Sequence, residues 1–123
     1  MRYVVQEHDA KRAGLHYDFR LEDGDMFKSW VVPKLAVKDW ENPGTVALAI
    51  QVSNHTEESA FFEGEYGPGY GEGTVKIWDT GEYDIERKGW GKWIFVLRGS
   101  KLNGKFSLTR KVGSKKHWFL KRV

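Results

Sequence analysis

Short runs of alternating polar and apolar residues, separated by turn signals, cover nearly the whole chain. A period of two is typical of β-strands with one buried face, and runs this short are too brief for good helices. The predicted strands are Tyr3–Gln6, Leu15–Glu22, Met26–Val32, Val46–Val52, Thr74–Asp79, Glu82–Glu86, Trp93–Arg98, Lys105–Arg110 and His117–Arg122. This pattern predicts a mainly all-β fold of about eight antiparallel strands that curls into a barrel or splits into a sandwich.

Irregular segments supply the rest of the predicted structure. One helical turn is expected around 39–41, and Thr56-Glu57-Glu58 favours a loop or the start of a short helix. Residues 63–73 hold five glycines and a proline, but no helical pattern follows them and a Lys-Ser/Thr pair is absent. We therefore interpret this stretch as tight turns and close backbone packing rather than a phosphate-binding loop.

The run from His16 to Leu21 carries the most distinctive pattern. His16, Asp18 and Arg20 lie on one face of the predicted strand, and three apolar residues lie on the other. An imidazole, a carboxylate and a guanidinium in a row suit a metal or polyanion site, although exposed strands also carry alternating polar residues.

Two hairpins are predicted from turn signals. The first joins strands 15–22 and 26–32, and we favour a three-residue loop, 23–25, because Asp25 is a poor strand residue. That loop would place Lys28, Trp30 and Val32 on the face of the polar row, whereas a two-residue loop would place them opposite. The second hairpin is predicted over Thr80-Gly81.

Length and composition limit the function classes. A chain of 123 residues is expected to fold as a single domain, 1–123. Without cysteine it has neither disulfides nor thiolate zinc sites. It has no apolar run long enough for a membrane helix and no signal-peptide core, so we expect a soluble cytoplasmic protein without a membrane partner.

Charge is unevenly distributed despite a net charge of only +3. From Arg87 to Val123 there are 12 basic residues and no acidic one, while the first 86 residues hold 8 basic and 17 acidic residues. A basic third predicts an anionic partner, nucleic acid first among the candidates. The six tryptophans are interpreted mainly as core and rim residues rather than base-stacking platforms.

The histidines suggest a metal site. His8, His16 and His55 lie beside turn or strand-end signals, and imidazoles with a carboxylate can bind a first-row divalent cation. Two ligand sets stay open on spacing alone. His16, Asp18 and His55 match the facial triad of a non-haem iron oxygenase, whereas His8, Asp18 and His55 would leave His16 and Arg20 for a phosphate.

Several longer motifs resemble a known family. The runs VVQEH, LHYDFRLEDGDMFKSWVVPK, FEGEYGPGYGEGTVKIWDTGEY, KLNGKFSLTRK and HWFLKRV, together with His55, resemble the 3′-phosphoesterase domain of bacterial DNA ligase D and its free-standing relatives. The resemblance spans nearly the whole chain. It implies a small closed β-barrel and a manganese-dependent hydrolase, with other divalent first-row metals as alternatives, acting in non-homologous end joining.

The resemblance also implies roles for individual residues. His8, Asp18 and His55 would bind the metal, His16 and Arg20 would bind the scissile phosphate, and Lys34 would line the same pocket. The substrate would be primer-template DNA with a 3′-ribonucleotide or 3′-phosphate end. Because no ligase or polymerase domain is fused to this sequence, such partners would act in trans. A non-catalytic module that binds DNA ends is the alternative.

This chain departs from the family pattern at several positions. The separation of His8 and His16 is longer than usual, by Ala13-Gly14, and Ala47, Ser53 and Ser59 replace an arginine, an acidic residue and a tyrosine. In the family, the last three positions are tied to full activity, especially the phosphomonoesterase step. The resemblance therefore supports the phosphodiesterase more strongly than the phosphomonoesterase.

Overall fold

The alternating strands close into a barrel. The computed structural model describes residues 1–69 and 72–123, and within them eight of nine strands form a closed antiparallel barrel. Their order is β1-β2-β3-β4-β9-β8-β7-β6, and β6 pairs with β1 to complete the ring. The prediction of a mainly all-β closed barrel is confirmed.

The elements have these bounds: β1 Arg2–Ala10, β2 Gly14–Asp23, β3 Met26–Val32, β4 Val46–His55, α1 Glu57–Ala60, β5 Gly64–Tyr66, β6 Gly73–Lys88, β7 Lys92–Gly99, β8 Asn103–Arg110 and β9 His117–Arg122. A 3-10 turn covers Val37–Asp39, slightly before its predicted place. No helix in 1–69 or 72–123 is long and apolar enough to cross a membrane.

The barrel interior is the main hydrophobic core. Phe19 and Leu21 point inward from β2 and pack with aromatic residues of β3, β7 and β8. The buried tryptophans are Trp30, Trp40, Trp93 and Trp118, as predicted for core residues. Burying these rings supplies much of the free energy that closes so small a barrel.

The first hairpin has a shorter loop than predicted. Asp23 pairs with Met26, so the loop is Gly24-Asp25, and Gly24 adopts a positive φ of 68°. The prediction of a three-residue loop is wrong, because glycine's conformational freedom closes a two-residue turn and leaves Asp23 within the strand. Lys28, Trp30 and Val32 therefore lie on the face opposite the polar row.

The predicted turn at Thr80-Gly81 does not exist. β6 continues through it as one strand of 16 residues, pairing first with β1 and then with β7. A Cβ on Gly81 would lie 2.1 Å from the carbonyl oxygen of Arg98. Gly81 is thus needed for close packing of two strands and not for a reversal of the chain.

The strand predicted over Val46–Val52 is less buried than its composition suggested. Ala49 is buried inside the barrel, but Val46 and Leu48 are exposed on the outer face. After β4, Thr56 caps α1 by accepting a hydrogen bond from the Ser59 backbone N–H. This short helix covers part of the outer face, where Ala60 packs on Val4 and Phe27.

The glycine-rich stretch passes next to the barrel wall. A Cβ on Gly73 would lie 2.0 Å from the carbonyl oxygen of Asp9, so close backbone packing is confirmed there. Tyr70 and Gly71 belong to the same predicted stretch and lie outside the described residues.

Candidate metal and phosphate site

A cavity lined by the polar row lies on the outer face of the barrel. It has a volume of about 740 Å³ and is bounded by β1, β2, the ends of β3 and β4, and the segment from Tyr66 to Gly69. The polar row of β2 forms its floor, and apolar residues including Val31, Pro33 and Val52 form one wall. The cavity therefore combines charged groups with an apolar surface, as ligand sites commonly do.

Strand register brings the polar residues together. His16, Asp18 and Arg20 line the cavity from one face of β2, as the alternation predicted. In the β1–β2 pair, His8 is directly opposite His16, and Gln6 is opposite Asp18. The longer spacing between His8 and His16 is taken up by the hairpin loop, where Ala10 pairs with Gly14, so His8 still reaches the site.

Three of these side chains form a compact donor set. The His8 Nδ1 lies 3.8 Å from the Asp18 Oδ2, and the His16 Nε2 lies 3.6 Å from the Asp18 Oδ1. Potential ligand atoms of these three residues all lie within 4.8 Å of one another. Imidazole nitrogens and a carboxylate oxygen are suitable ligands for a first-row divalent cation. The residues fit the metal that the resemblance implies.

Local hydrogen bonds orient two of the imidazoles. The His16 Nδ1 lies 3.1 Å from the Gly14 carbonyl oxygen, and the His55 Nδ1 lies 2.9 Å from that of Ser53. A carbonyl can only accept, so each Nδ1 donates and each neutral ring keeps an Nε2 lone pair. Such backbone bonds are the usual way of fixing the tautomer of a metal-binding histidine.

His55 shares the cavity but not the tight cluster. It lines the same cavity as His8 and Asp18, yet among the described residues the trio within 4.8 Å contains His16 instead. Burial and then the positive charge of Arg20 lower the pKa of His55, which favours the neutral imidazole. The ligand set His8, Asp18 and His55 stays a prediction.

Arg20 is a buried cation with unused donor capacity. It is 5% exposed, and burial lowers its pKa, opposed by the Asp18 carboxylate. Its Nε donates to the Gln6 Oε1 at 2.6 Å, and its Nη2 lies 3.7 Å from the Asp18 Oδ2. Its Nη1 is buried and has no hydrogen-bond partner among the described residues. A buried donor without an acceptor, on a cavity wall, suits an anion such as phosphate.

The sequence predicted that Lys34 lines the cavity, and it did not point to Gln6 or Tyr66. Lys34 is exposed, and the cavity lining includes its neighbour Pro33 rather than Lys34 itself. Gln6 is buried and links Arg20 to the backbone carbonyls of Ser59 and Phe62, to which its Nε2 donates. Tyr66 meets the His8 ring edge-on at 5.8 Å.

Comparison with known proteins identifies the family of this chain. Residues 6–110 match the family described as the DNA ligase D 3′-phosphoesterase domain. The chain belongs to this family. It is 44% identical over 128 residues to a multifunctional non-homologous end joining protein LigD of Pseudomonas aeruginosa. It is 40% identical over 126 residues to a protein of the same name from Mycobacterium bovis, and 34% identical over 137 residues to one from Mycolicibacterium smegmatis.

These DNA ligase D relatives are much longer proteins. The alignments cover 98% of this chain in the first two cases and 99% in the third, but only 15%, 16% and 17% of the relatives. The shared part is therefore one region of each relative, and it contains the strands that carry the cavity described above.

Proposed function

We propose that this chain is a manganese-dependent phosphoesterase that processes the 3′ ends of DNA during non-homologous end joining. One observation carries the proposal. The histidines and the aspartate that could bind a cation line the same cavity as Arg20, whose buried Nη1 has no acceptor among the described residues. A cation site beside a guanidinium that needs an anion is the arrangement expected for phosphoryl chemistry.

Each residue has a distinct proposed role. His8 and Asp18 would bind the cation, with His55 as the third ligand, and Arg20 would hold two oxygens of the scissile phosphate. His16 would contact a phosphate oxygen or protonate the leaving oxygen. When bound, the cation supplies electrostatic stabilisation of the charge that develops on the phosphate. The apolar wall at Val31, Pro33 and Val52 would pack against the sugar and base of the terminal nucleotide.

The proposed substrate is a primer-template with a 3′-terminal ribonucleotide. Hydrolysis would cleave the phosphodiester bond before this nucleotide, and removal of a remaining 3′-phosphate would be the weaker activity. Ser53 is exposed and Ala47 packs against the barrel core, so neither supplies the charged group that the family pattern has there.

A primer labelled at its 5′ end, carrying one 3′-ribonucleotide and annealed to a longer template, tests the proposal. With manganese, wild-type protein should shorten the primer, and a gel should resolve 3′-phosphate from 3′-hydroxyl products. Asp18→Ala should lower the rate by at least about 100-fold, because it removes a ligand that both proposed sets share. Asp25→Ala, in the exposed β2–β3 turn, is the matched control and should keep the wild-type rate.

Equal rates for Asp18→Ala and wild type would show that the proposal is wrong. DNA binding that depends on salt, without turnover under manganese, would instead support a non-catalytic module that binds DNA ends. Chelator added to the wild-type protein separates these outcomes. It should abolish hydrolysis by a phosphoesterase and leave DNA binding by a non-catalytic module unchanged.

A further inference from the structure

A second cavity lies in one mouth of the barrel. It has a volume of about 360 Å³ and four of its lining residues are tryptophans, namely Trp30, Trp90, Trp93 and Trp118. We call it the tryptophan cavity. On β3, Trp30 lines this cavity and its neighbour Val31 lines the first one. Successive strand residues point to opposite faces, so the two cavities lie on opposite sides of the barrel wall.

Trp90 presents a fixed aromatic surface at the tryptophan cavity. Its side chain is 77% exposed, which is unusual for so large an apolar ring. The Arg110 guanidinium lies between two rings, 4.3 Å from that of Trp90 and 4.4 Å from that of Trp118. Arg110 also donates from Nε and Nη2 to the Trp90 carbonyl oxygen, at 3.2 and 3.1 Å. These contacts hold an exposed ring in place, as a stacking platform requires.

Trp30 supplies a donor without an acceptor. Its side chain is fully buried, and its Nε1 has no hydrogen-bond partner among the described residues. The neighbouring Trp118 Nε1, by contrast, donates to the Gln51 Oε1 at 3.0 Å. Buried indole N–H groups normally find acceptors, and Trp30 lines the cavity, so its unpaired N–H favours a ligand that carries acceptors.

Charge around the tryptophan cavity favours an anion. Lys28, Lys88 and Arg110 line it, and none of its described lining residues is acidic. The Lys88 ammonium is already paired with the Asp23 carboxylate at 2.6 Å, so Lys28 and Arg110 contribute most of the positive charge there. Arg110 also donates from Nη1 to the Lys115 carbonyl oxygen, which connects the cavity to the loop between β8 and β9. That loop carries Lys111, Lys115 and Lys116, all exposed. Planar, acceptor-rich and anionic ligands match this combination, and nucleic acid strands have all three properties.

We propose that the tryptophan cavity binds single-stranded DNA, with one base stacked on Trp90 and the phosphates along the β8–β9 loop. The inference rests on the proposed function, because a 3′-recessed primer leaves a single-stranded stretch of template beside the processed end. The tryptophan cavity would hold that stretch while the first cavity holds the terminus.

Fluorescence anisotropy with a labelled oligothymidylate of about 12 nucleotides, a length within the usual site sizes, measures this binding directly. Chelator is present, so occupation of the metal site does not contribute. Trp90→Ala should weaken binding by at least about five-fold, the lower limit for loss of one stacked base. Trp90→Phe should retain most of the affinity, and Phe119→Ala, which removes a partly exposed ring on β9, should match the wild type.

Two results would overturn the inference. One is equal affinity of wild type and Trp90→Ala, and the other is the absence of oligothymidylate binding at low salt. If the wild-type protein does not hydrolyse the primer but its oligonucleotide binding depends on Trp90, only the proposed function is contradicted. Normal hydrolysis by Trp90→Ala with unchanged affinity would contradict only the tryptophan cavity.

Discussion

Asp79 is a buried carboxylate with a structural task. Its Oδ1 accepts from the backbone N–H groups of Ser100 and Lys101, and its Oδ2 accepts from the Leu102 N–H and the Tyr3 hydroxyl. Burial, and then the contact with Asp79, raises the pKa of Tyr3, so that its hydroxyl stays protonated and donates. Four donors on one carboxylate fix the loop between β7 and β8 to β1.

Asp79→Asn should therefore destabilise the fold. An amide nitrogen would face N–H donors at either oxygen position, and unsatisfied buried groups cost about 1–3 kcal/mol. Urea unfolding should show a lower midpoint with an unchanged slope. Asp25→Asn, on the exposed β2–β3 turn, is the control. An unchanged midpoint for Asp79→Asn would show that the hydrogen bonds to Asp79 contribute nothing to stability.

At the residue scale, the sequence predicted the positions that follow from the alternation of side chains along a strand. His16, Asp18 and Arg20 follow from a period of two along β2, and the structure places them together. Gln6 and His8 lie on the same outward face of β1. The predicted strand ended at Gln6, so the sequence did not indicate that these two residues share a face. Tyr66 lies in a glycine-rich stretch with no period, so no local pattern could place its ring beside His8.

Among the elements, Arg2 ties together three pieces of the chain. Its guanidinium donates to the Glu22 carboxylate at the end of β2 and to the Glu57 carboxylate at the start of α1, each at 2.8 Å. The hydrogen bonds from Arg2 lower the pKa of Glu22, while partial burial opposes the shift. Because α1 covers the outer face next to the first cavity, this ion pair helps to hold that cover in place.

The free energy of unfolding should therefore fall in acid as Glu22 is protonated. A lowered folded-state pKa gives stability that is complete above the unfolded value, about 4.3, and is lost as the pH falls through the folded value. Wild type and Glu22→Gln should thus differ in urea midpoint at pH 7 and converge as the pH falls through the lowered folded-state pKa of Glu22. Since Arg2 is partly exposed, salt should reduce the difference. A constant difference across this pH range would rule out the Glu22 titration.

The longest strand, β6, passes through the position where a hairpin turn was predicted. Thr80-Gly81 resembles a turn because threonine and glycine often border one, yet Gly81 has no positive φ and packs against β7. A local pattern cannot distinguish a glycine chosen for a turn from one chosen for close approach of another strand. Pairing between distant segments decides it, and one sequence does not show that pairing.

Gly81→Ala is expected to be strongly destabilising. The new Cβ would meet backbone atoms of Arg98 and Gly99, which cannot rotate away, so overpacking should cost about 1–3 kcal/mol. Gly91→Ala is a matched control in the β6–β7 turn, where a Cβ meets no heavy atom within 4 Å. Thermal unfolding of the two variants provides the comparison. Similar melting temperatures would indicate that β6 and β7 can separate at low cost.

For the whole molecule, the basic third is only partly available to a ligand. Arg98 pairs with Glu82 and Asp84, and Lys105 pairs with Glu86. These three acidic partners all belong to β6. The sequence shows the charge asymmetry, but strand pairing places these opposite charges side by side. Lysines of the β8–β9 loop are the better candidates for phosphate contacts.

Manganese should stabilise the folded molecule against heat. A ligand that binds only the native state adds about 2.7 kcal/mol at 100 times its dissociation constant, so the melting temperature should rise with manganese concentration. His8→Ala, Asp18→Ala and His55→Ala should lose this rise, and His16→Ala should keep it. Loss in His16→Ala with retention in His55→Ala would instead favour the compact trio His8, His16 and Asp18.

The pairing of β1 with β6 has a consequence for how the chain folds. Arg2 pairs with Glu82 and Ala10 pairs with Gly73, so contacts that close the ring join residues about 60 to 80 positions apart. Such non-local pairing makes folding slow, and β1 keeps an unpaired edge during synthesis until β6 has left the ribosome. Since β1 carries His8 and Gln6, we expect the hairpin bearing the polar row to form early and its final geometry to wait for ring closure.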